Sequence, residues 1–543
     1  MRFFNTEGPV NSQNYYKIDP LKRWNMDEIM SLIHRQRYFI LHAPRQTGKT
    51  SSLLALRDKL NAEGEYHAIY TNFEVGQAFR EDVHATIMNI MESLVINAER
   101  QLGSSIEIRK YFDEKSVSFK PGAAFSDVFG FLCQKVQKPI VLMIDEIDAL
   151  IGDPLISVLR QLRDGYSDRP DYFPASIILC GLRDVKDYRM HAGKDIITGH
   201  SPFNIIAKSL RLGNFTREEV GKLYSQLQAD TGQYFSEATL DLVMHYTDGQ
   251  PWLVNALARD ILEYTQTVPT PLFINSKTNC QLTTEMLEYA KEHLILRMET
   301  HLGQLTDKLK EARVNRVILP MVLGTEADPE KDDIQYCIDL GLIKKTKRGL
   351  KIANPIYQEV IPREITMEAQ ETFPLRYVPE WVHNDKSIDV YRLLSLFKEF
   401  WNENAAIWAS SIAGYQEAAP HLVLQAFLQR VLNGGGYINR EFGLGQRRTD
   451  IFIRWFYQQE DNKFTQKIVM ELKIISEKQS YQSLKLEACE QTAKYAQTCG
   501  VNNAQIIIFD RHESQGWKAD EPNEQTEYEG VELEIWKLGM GRW

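Results

Sequence analysis

Two sets of residues in this chain have the types and spacing for chemistry on phosphate. The first is the run His42-Ala43-Pro44-Arg45-Gln46-Thr47-Gly48-Lys49-Thr50-Ser51. It lies between a short apolar run, Tyr38-Phe39-Ile40-Leu41, and a helical pattern from Thr50 to Leu60 that stops near Gly64. In a loop set between a strand and a helix, successive backbone N–H groups and the helix N-terminus face the β- and γ-phosphates of a nucleotide. Lys49 then supplies a point charge and the Thr50 hydroxyl can ligate Mg²⁺. Ala43 stands where the consensus loop has its first glycine, which is tolerated if its φ is negative. The loop predicts binding of a nucleoside triphosphate, with ATP expected, through residues 43 to 51.

The second set lies far downstream. Asp450 opens one β-like run, TDIFIRW, and Glu471-Leu472-Lys473 closes the next, QKIVMELKI. Side chains alternate along a strand, so Glu471 and Lys473 share one face and a hairpin partner can set Asp450 opposite them. Two carboxylates and a lysine converging on one point suit phosphodiester hydrolysis. Asp450 and Glu471, with the Leu472 carbonyl, would bind Mg²⁺, and Lys473 would orient or deprotonate the attacking water. The following LEACEQTAKYAQTCG is an amphipathic helix that places Glu487, Gln491 and Tyr495 on one face and ends near Gly500. Arg440, Arg447, Arg448 and Arg454 are near this set and either grip phosphates or are ordinary surface charge.

Both sets need strands to hold them. Pro139-Ile140-Val141-Leu142-Met143-Ile144-Asp145-Glu146 is a buried parallel-strand pattern ending in two acids, a Walker B strand. Asp145 would hold the nucleotide's Mg²⁺ through water and Glu146 would polarise the water that attacks the γ-phosphate. Another β-like run, Ser176 to Cys180, leads into Gly181-Leu182-Arg183-Asp184. Strand ends in open α/β sheets converge on the ligand crevice, so Arg183 can read the γ-phosphate; a structural salt bridge to Asp184 or another acid is the alternative. Arg160 and Arg163, in SVLRQLRDGY, rank behind it.

The chain has 543 residues, enough for roughly three to four domains by the usual size of a domain. Hydrophobic residues at 43% and charged residues at 25% describe ordinary globular protein. A net charge of −10 argues against a surface that is basic all over, so contact with nucleic acid must come from local patches. The six cysteines, at 133, 180, 280, 337, 489 and 499, form no CxxC pair, which argues against disulfides and zinc sites. No leader pattern opens the chain and no apolar run approaches the roughly 20 residues of a membrane span. A cytoplasmic protein without a membrane partner is expected.

HAPRQTGKTS, LMIDEID, ILCGLRD and FTREEV…TDGQPWLVNALA together resemble the AAA-like ATPases close to the STAND and origin-recognition branches of the AAA+ superfamily, over about residues 1 to 365. The resemblance implies that Arg183 is a sensor for the γ-phosphate and that Gly249-Gln250-Pro251 in a helical lid lies against the nucleotide. It also makes Tyr16 to Arg23 a candidate base pocket. From about Ser201 to Met298 the pattern turns helical, with a capping box at Thr216-x-x-Glu219 and a second helix opened by Ser236. In LGLIKKTKRGLKIANPIY two β-like runs flank a turn at Lys347-Arg348-Gly349, suggesting a winged helix whose wing carries Lys344, Lys345, Lys347, Arg348 and Lys351. Such a wing can track a DNA backbone or serve only to lock the lid.

The order of an acid, Asp450, Glu471-x-Lys473 and the helical Gln491 resembles the PD-(D/E)XK nuclease superfamily, over about residues 405 to 543. Thr449 replaces the proline that often precedes the Asp. The resemblance makes Glu417 the first candidate for the N-terminal helical acid and Glu441 the second.

The expected architecture is α/β: an AAA-like P-loop core over 1–200, a helical lid over 201–300, a winged helix over 301–365, a linker over 366–404 and a nuclease-like α/β domain over 405–543. The expected function is an ATP-driven switch on a Mg²⁺-dependent nuclease acting on nucleic acid, with DNA the first choice, in a chain that can form homo-oligomers. A role in defence or mobile-element biology is analogy from fold. The rivals are an ATPase that remodels or loads onto DNA and a STAND-like signalling scaffold whose nuclease fold is inert.

Overall fold

The computed structural model describes residues 2–10, 14–183, 191–192, 195–196, 205–267, 281–323, 329–347, 349–365, 381–411, 423–424, 427–428, 436–442, 449–459, 462–475, 480–510 and 522–539. They form two compact units, Met1–Leu294 with Ile338–Gly341, and Ile295–Cys337 with Leu342–Trp543.

The first unit is built on a five-stranded parallel sheet: β1 (Tyr38–His42), β2 (His67–Asn72), β3 (Ile140–Asp145), β4 (Ser176–Gly181) and β5 (Ile206–Arg211), in the spatial order β2-β3-β4-β1-β5. Apolar residues run almost unbroken through β1, β3 and β4 because both faces are covered. Alternate positions sort into two cores. Tyr38, Ile40, Leu142, Ile144, Ile177 and Leu179 pack with the helices Val83–Leu102 and Ala124–Lys135, while Phe39, Leu41, Val141, Met143, Ile178 and Cys180 pack with α1 (Lys49–Glu63). Each buried Leu, Ile or Phe contributes roughly 1.5–3 kcal/mol, so this double layer fixes the strand ends that carry the polar residues.

α1 ends on Gly64 in the left-handed conformation, φ +79°, as the Gly64 stop signal predicts. The stretch after 201, expected to be helical throughout, instead begins with the edge strand β5; its sequence, IAKSLR, is half exposed and lacks the apolar run by which the central strands are recognised. Helices follow it: α2 (Arg217–Thr231), α3 (Glu237–Thr247) and α4 (Pro251–Thr267). The capping box forms at Thr216 and Glu219, and Ser236 caps α3.

In the second unit, helices Thr300–Leu309, Ala312–Leu323 and most of α5 (Lys331–Asp339) precede an antiparallel hairpin, β6 (Ile343–Thr346) with β7 (Gly349–Ile352), and the helix Pro355–Ile365. His301 Nε2 lies 2.6 Å from the Tyr357 hydroxyl, tying the first of these helices to the last. A six-stranded mixed sheet follows, from β8 (Gly436–Phe442), β9 (Thr449–Gln459), β10 (Asn462–Ile475), β11 (Asn503–Asp510), β12 (Glu524–Tyr528) and β13 (Val531–Gly539), in the order β8-β9-β10-β11-β13-β12. β8, β9 and β10 form an antiparallel meander, whereas β10, β11 and β13 run parallel. The connection from β10 to β11 is α6 (Tyr481–Cys499), capped by Ser480 and stopped by Gly500.

α6 lays Leu484, Ala488, Ala493 and Ala496 on one face of that sheet against Val469, Ile506 and Ile508. The opposite face packs Leu393, Phe397 and Trp401 of the helix Val390–Ser411 on Ile451, Met470 and Phe509. Among the described residues no helix is long and apolar enough to cross a membrane, and the thiols of Cys133, Cys180, Cys337 and Cys489 are free.

Candidate nucleotide and phosphodiester sites

The loop between β1 and α1 is shaped by two residues of positive φ, Gln46 at +56° and Gly48 at +94°, and Ala43 is not among them. The missing first glycine therefore costs nothing in backbone strain. Lys49 is buried and its Nζ donates to the Ala43 carbonyl at 3.0 Å and the Pro44 carbonyl at 3.2 Å, so the ammonium folds back across the loop. The Thr47 hydroxyl donates to the Pro44 carbonyl at 2.8 Å, and the Ser51 hydroxyl accepts from the Val10 N–H at 3.0 Å. Arg45 is exposed at the tip of the loop.

At the C-terminal end of β3, Asp145 is fully buried and joins the loop to the sheet: Thr50 Oγ1 donates to its Oδ2 at 2.7 Å. The Tyr70 hydroxyl, from β2, donates to the same oxygen at 3.0 Å, and the Glu146 N–H donates to Oδ1 at 3.0 Å. Burial and the Asp145 carboxylate push the Tyr70 hydroxyl well above its usual range, which keeps it a donor. This pairing of a loop hydroxyl with a strand-end carboxylate is the arrangement of oxygens that suits Mg²⁺ beside a triphosphate.

Glu146 sits at φ +52°, an uncommon conformation for a residue with a side chain. Burial raises its carboxyl above the ordinary range, and Asp148 and Asp145 add to that, while Lys49 and Arg45 pull it back. A carboxylate raised toward neutrality near a phosphate loop is suited to accept a proton. Asp148 does a different job. Its Oδ1 accepts from the Leu182 N–H at 3.2 Å, and a Cβ on Gly181 would lie 2.6 Å from that oxygen, so Gly181 is needed where β4 meets this carboxylate.

Arg183 follows β4 and is buried; its Nε donates to Asp339 Oδ2 at 3.2 Å. Arg160 and Arg163 are exposed on the helix Gly152–Asp164. Pro251 is the first residue of α4, and Gly249 just before it has φ +71° and a place for a Cβ only 2.0 Å from the Phe215 carbonyl oxygen. Within the segment Tyr16 to Arg23, the Arg23 guanidinium lies over the Phe215 ring and donates to the carbonyls of Thr47 and Gly213. Burial lowers its pKa to about 10. Tyr16 is turned into a contact with Phe4 at 4.8 Å and is buried, with its hydroxyl pushed up to about 12 by burial.

In the second unit, the antiparallel register sets Asp450 directly opposite Glu471, and Glu441 directly opposite Asp450. Positions in direct register share a face of a sheet, so 441, 450 and 471 form one row across β8, β9 and β10. Glu471 and Lys473 are buried on the face that α6 covers. Lys473 Nζ lies 2.9 Å from Glu471 Oε1, donates to Gln491 Oε1 at 2.7 Å and lies 3.9 Å from Glu487 Oε1. Gln491 Nε2 in turn donates to Glu487 Oε1 at 2.9 Å. Tyr495 is in ring contact with Phe452 at 6.5 Å, and the Arg454 guanidinium lies over Phe452 at 5.4 Å. Glu417, Arg447 and Arg448 fall outside the described residues. Among the described residues no group of three His, Cys, Asp or Glu side chains forms a metal cage.

Sequence reasoning passed over Tyr70, Asp148 and Asp339. Each comes from a segment remote in sequence from the residue it touches, and only the fold brings them together. A tyrosine on a strand next to the acidic strand was the one signal open to it.

The family described as "AAA-like domain" matches residues 5–359. No curated protein matches the chain. Among solved structures, the Walker-type ATPase PABY2304 of Pyrococcus abyssi is similar at 14% identity and a TM-score of 0.43, over 66% of this chain and 99% of that one. The T158V variant of Thermotoga maritima RuvB is similar at 13% identity and a TM-score of 0.34, over 66% and 96%. Cdc6p from Pyrobaculum aerophilum is similar at 15% identity and a TM-score of 0.30, over 64% and 93%.

Proposed function

We propose, from the premise that the chain belongs to the AAA-like domain family through residues 5–359, that it binds and hydrolyses ATP with Mg²⁺ and uses the nucleotide state to control a Mg²⁺-dependent nuclease site. The observation that carries the ATPase half is the meeting of Thr50 and Asp145 at 2.7 Å with Glu146 next to them. On this reading Lys49 leaves the Ala43 and Pro44 carbonyls for the β- and γ-phosphates, and the loop N–H groups bind the same oxygens. Mg²⁺ supplies charge neutralisation at the phosphates, with Thr50 and Asp145 as the residues to hold it. Glu146 takes a proton from water as the water oxygen attacks Pγ, the bond from Pγ to the β,γ-bridging oxygen breaks, and ADP leaves. Arg183 senses the γ-phosphate, and Pro251 of the lid lies against the nucleotide.

The nuclease half is supported by Lys473 held between Glu471 and Gln491, and by the register that ranks Asp450 and Glu441 beside Glu471. Glu471 and Asp450 would hold Mg²⁺ and Lys473 would orient the attacking water, with Gln491 fixing the ammonium. The substrate on this reading is nucleic acid, DNA in the first place. The test is incubation of the full chain with linear and circular DNA and Mg²⁺, with and without ATP, alongside release of phosphate from ATP. Phosphate release and metal-dependent cleavage support the two halves; phosphate release without cleavage removes the nuclease half.

A second reading has one observation in its favour. β6 and β7 pair Lys344 directly with Lys351, and like charges in direct register repel. Lys345 and Lys347 add exposed charge to the same hairpin. A phosphate backbone along this hairpin would meet Lys344, Lys345, Lys347 and Lys351, which suits a DNA-binding or DNA-remodelling ATPase.

A further inference from the structure

Arg183 carries a full positive charge into a site where only 6% of the residue is exposed, and the acid that meets it, Asp339, is 2% exposed. A buried cation requires a counter-charge, because removing either partner strands the other in a medium that solvates charge poorly. Asp339 is the last residue of α5. That end of a helix carries the negative pole of its dipole, so an acid there opposes the helix rather than serving it. Asp339 instead meets the Arg183 guanidinium, at 3.2 Å from Nε.

The segment that carries Asp339, Ile338–Gly341, belongs to the first unit and is tied to it at two further points. Arg211 Nη2, at the end of β5, donates to the Ile338 carbonyl at 3.1 Å. Gly341, at φ +77°, approaches the phosphate loop so closely that a Cβ would lie 2.9 Å from Pro44 Cβ and Cγ. One short segment thus touches the phosphate loop, the end of the edge strand and the arginine after β4.

We infer that Asp339 is a latch on Arg183: it supplies the counter-charge in the absence of a γ-phosphate, and ATP must displace it to engage the arginine. The inference rests on the proposed role of Arg183 as the γ-phosphate sensor. Two anions then compete for one guanidinium, so the latch lowers affinity for ATP while leaving affinity for ADP untouched. A purely structural salt bridge would shift both nucleotides alike.

The test is calorimetric titration of the full chain with Mg²⁺ and either ADP or adenylyl imidodiphosphate, for wild type, Asp339→Asn, Arg183→Ala and the double variant. Asp339→Asn is expected to raise the preference for the triphosphate analogue over ADP by about tenfold, the usual scale of coupling between sites. Arg183→Ala is expected to lower that preference, and the double variant to match Arg183→Ala. An Asp339→Asn preference that is unchanged or lowered, with Arg183→Ala still lowering it, overturns the latch and leaves the sensor standing. No change in Arg183→Ala removes the sensor reading and the latch with it. Should Asp339→Asn fold poorly, hydrogen exchange of wild type decides: the Gly341 amide, 3.0 Å from the Ile338 carbonyl, is expected to exchange faster with the analogue than with ADP. Equal protection overturns the latch.

Discussion

Replacing Glu146 by Gln separates binding from hydrolysis, and its consequences can be worked from the geometry. The two side chains have the same shape, so the left-handed backbone at φ +52° and the bond from the Glu146 N–H to Asp145 are retained. What is lost is the group proposed to accept a proton from water. A positioned base is worth roughly 10²–10⁴-fold in rate, which is about 2.7–5.4 kcal/mol of barrier. Single-turnover hydrolysis is therefore expected to slow by at least ~100-fold while Mg²⁺-ATP affinity stays near that of wild type. The raised carboxyl also gives a pH signature. In wild type the hydrolytic rate is expected to rise with pH through a midpoint above that of a free glutamate, because burial raises the Glu146 carboxyl. The same shift bears on stability. A carboxyl whose pKa is higher folded than unfolded stabilises the fold fully below its unfolded pKa and loses that contribution as pH rises through the folded one. Glu146→Gln lacks this loss, so its denaturation midpoint should exceed that of wild type at neutral pH, and the gap should close on acidification. A variant that hydrolyses ATP at the wild-type rate, or that no longer binds it, would refute the assignment of Glu146.

Lys49→Ala removes the one buried ammonium of the loop, and Mg²⁺-ATP affinity is expected to fall at least ~100-fold, the scale of stranding a charged partner, by calorimetry; retained affinity would mean the loop binds without it. Gly249→Ala forces a Cβ to within 2.0 Å of the Phe215 carbonyl at a φ of +71°, so chemical denaturation should show a loss above ~2 kcal/mol, and an unchanged midpoint would mean the α4 entry is slack. Glu471→Ala should lose Mg²⁺ or Mn²⁺ affinity in the second unit whereas Lys473→Ala should keep it, because an ammonium is no metal ligand; equal loss in both would place the metal elsewhere.

The phosphate loop was legible because its whole signal is local: strand, loop and helix are contiguous, and Gly64 marks where α1 stops. Asp145 and Glu146 were legible for the same reason, as acids closing an apolar run. The hairpin register that pairs Asp450 with Glu471 also followed from alternation within adjacent runs. What the sequence hid depends on which remote segments meet in the fold. Tyr70 reaches Asp145 only because β2 lies beside β3, and Arg183 reaches Asp339 across 156 positions of chain. β5 was read as part of a helical stretch because an edge strand with one wet face lacks the apolar density of the centre. Glu441 ranked behind Glu417 in sequence, and its place opposite Asp450 comes from a register that composition does not encode.

Coupling of the two chemistries in one chain is the central claim. The most direct measurement is the time course of DNA cleavage in Mg²⁺ by full-length Glu146→Gln held in its ATP-bound state, compared with the same protein in ADP and with Glu146→Gln carrying Glu471→Ala. The account predicts cleavage that differs between ATP and ADP and vanishes with Glu471→Ala. Cleavage that is indifferent to nucleotide, or that survives the loss of Glu471, would contradict it.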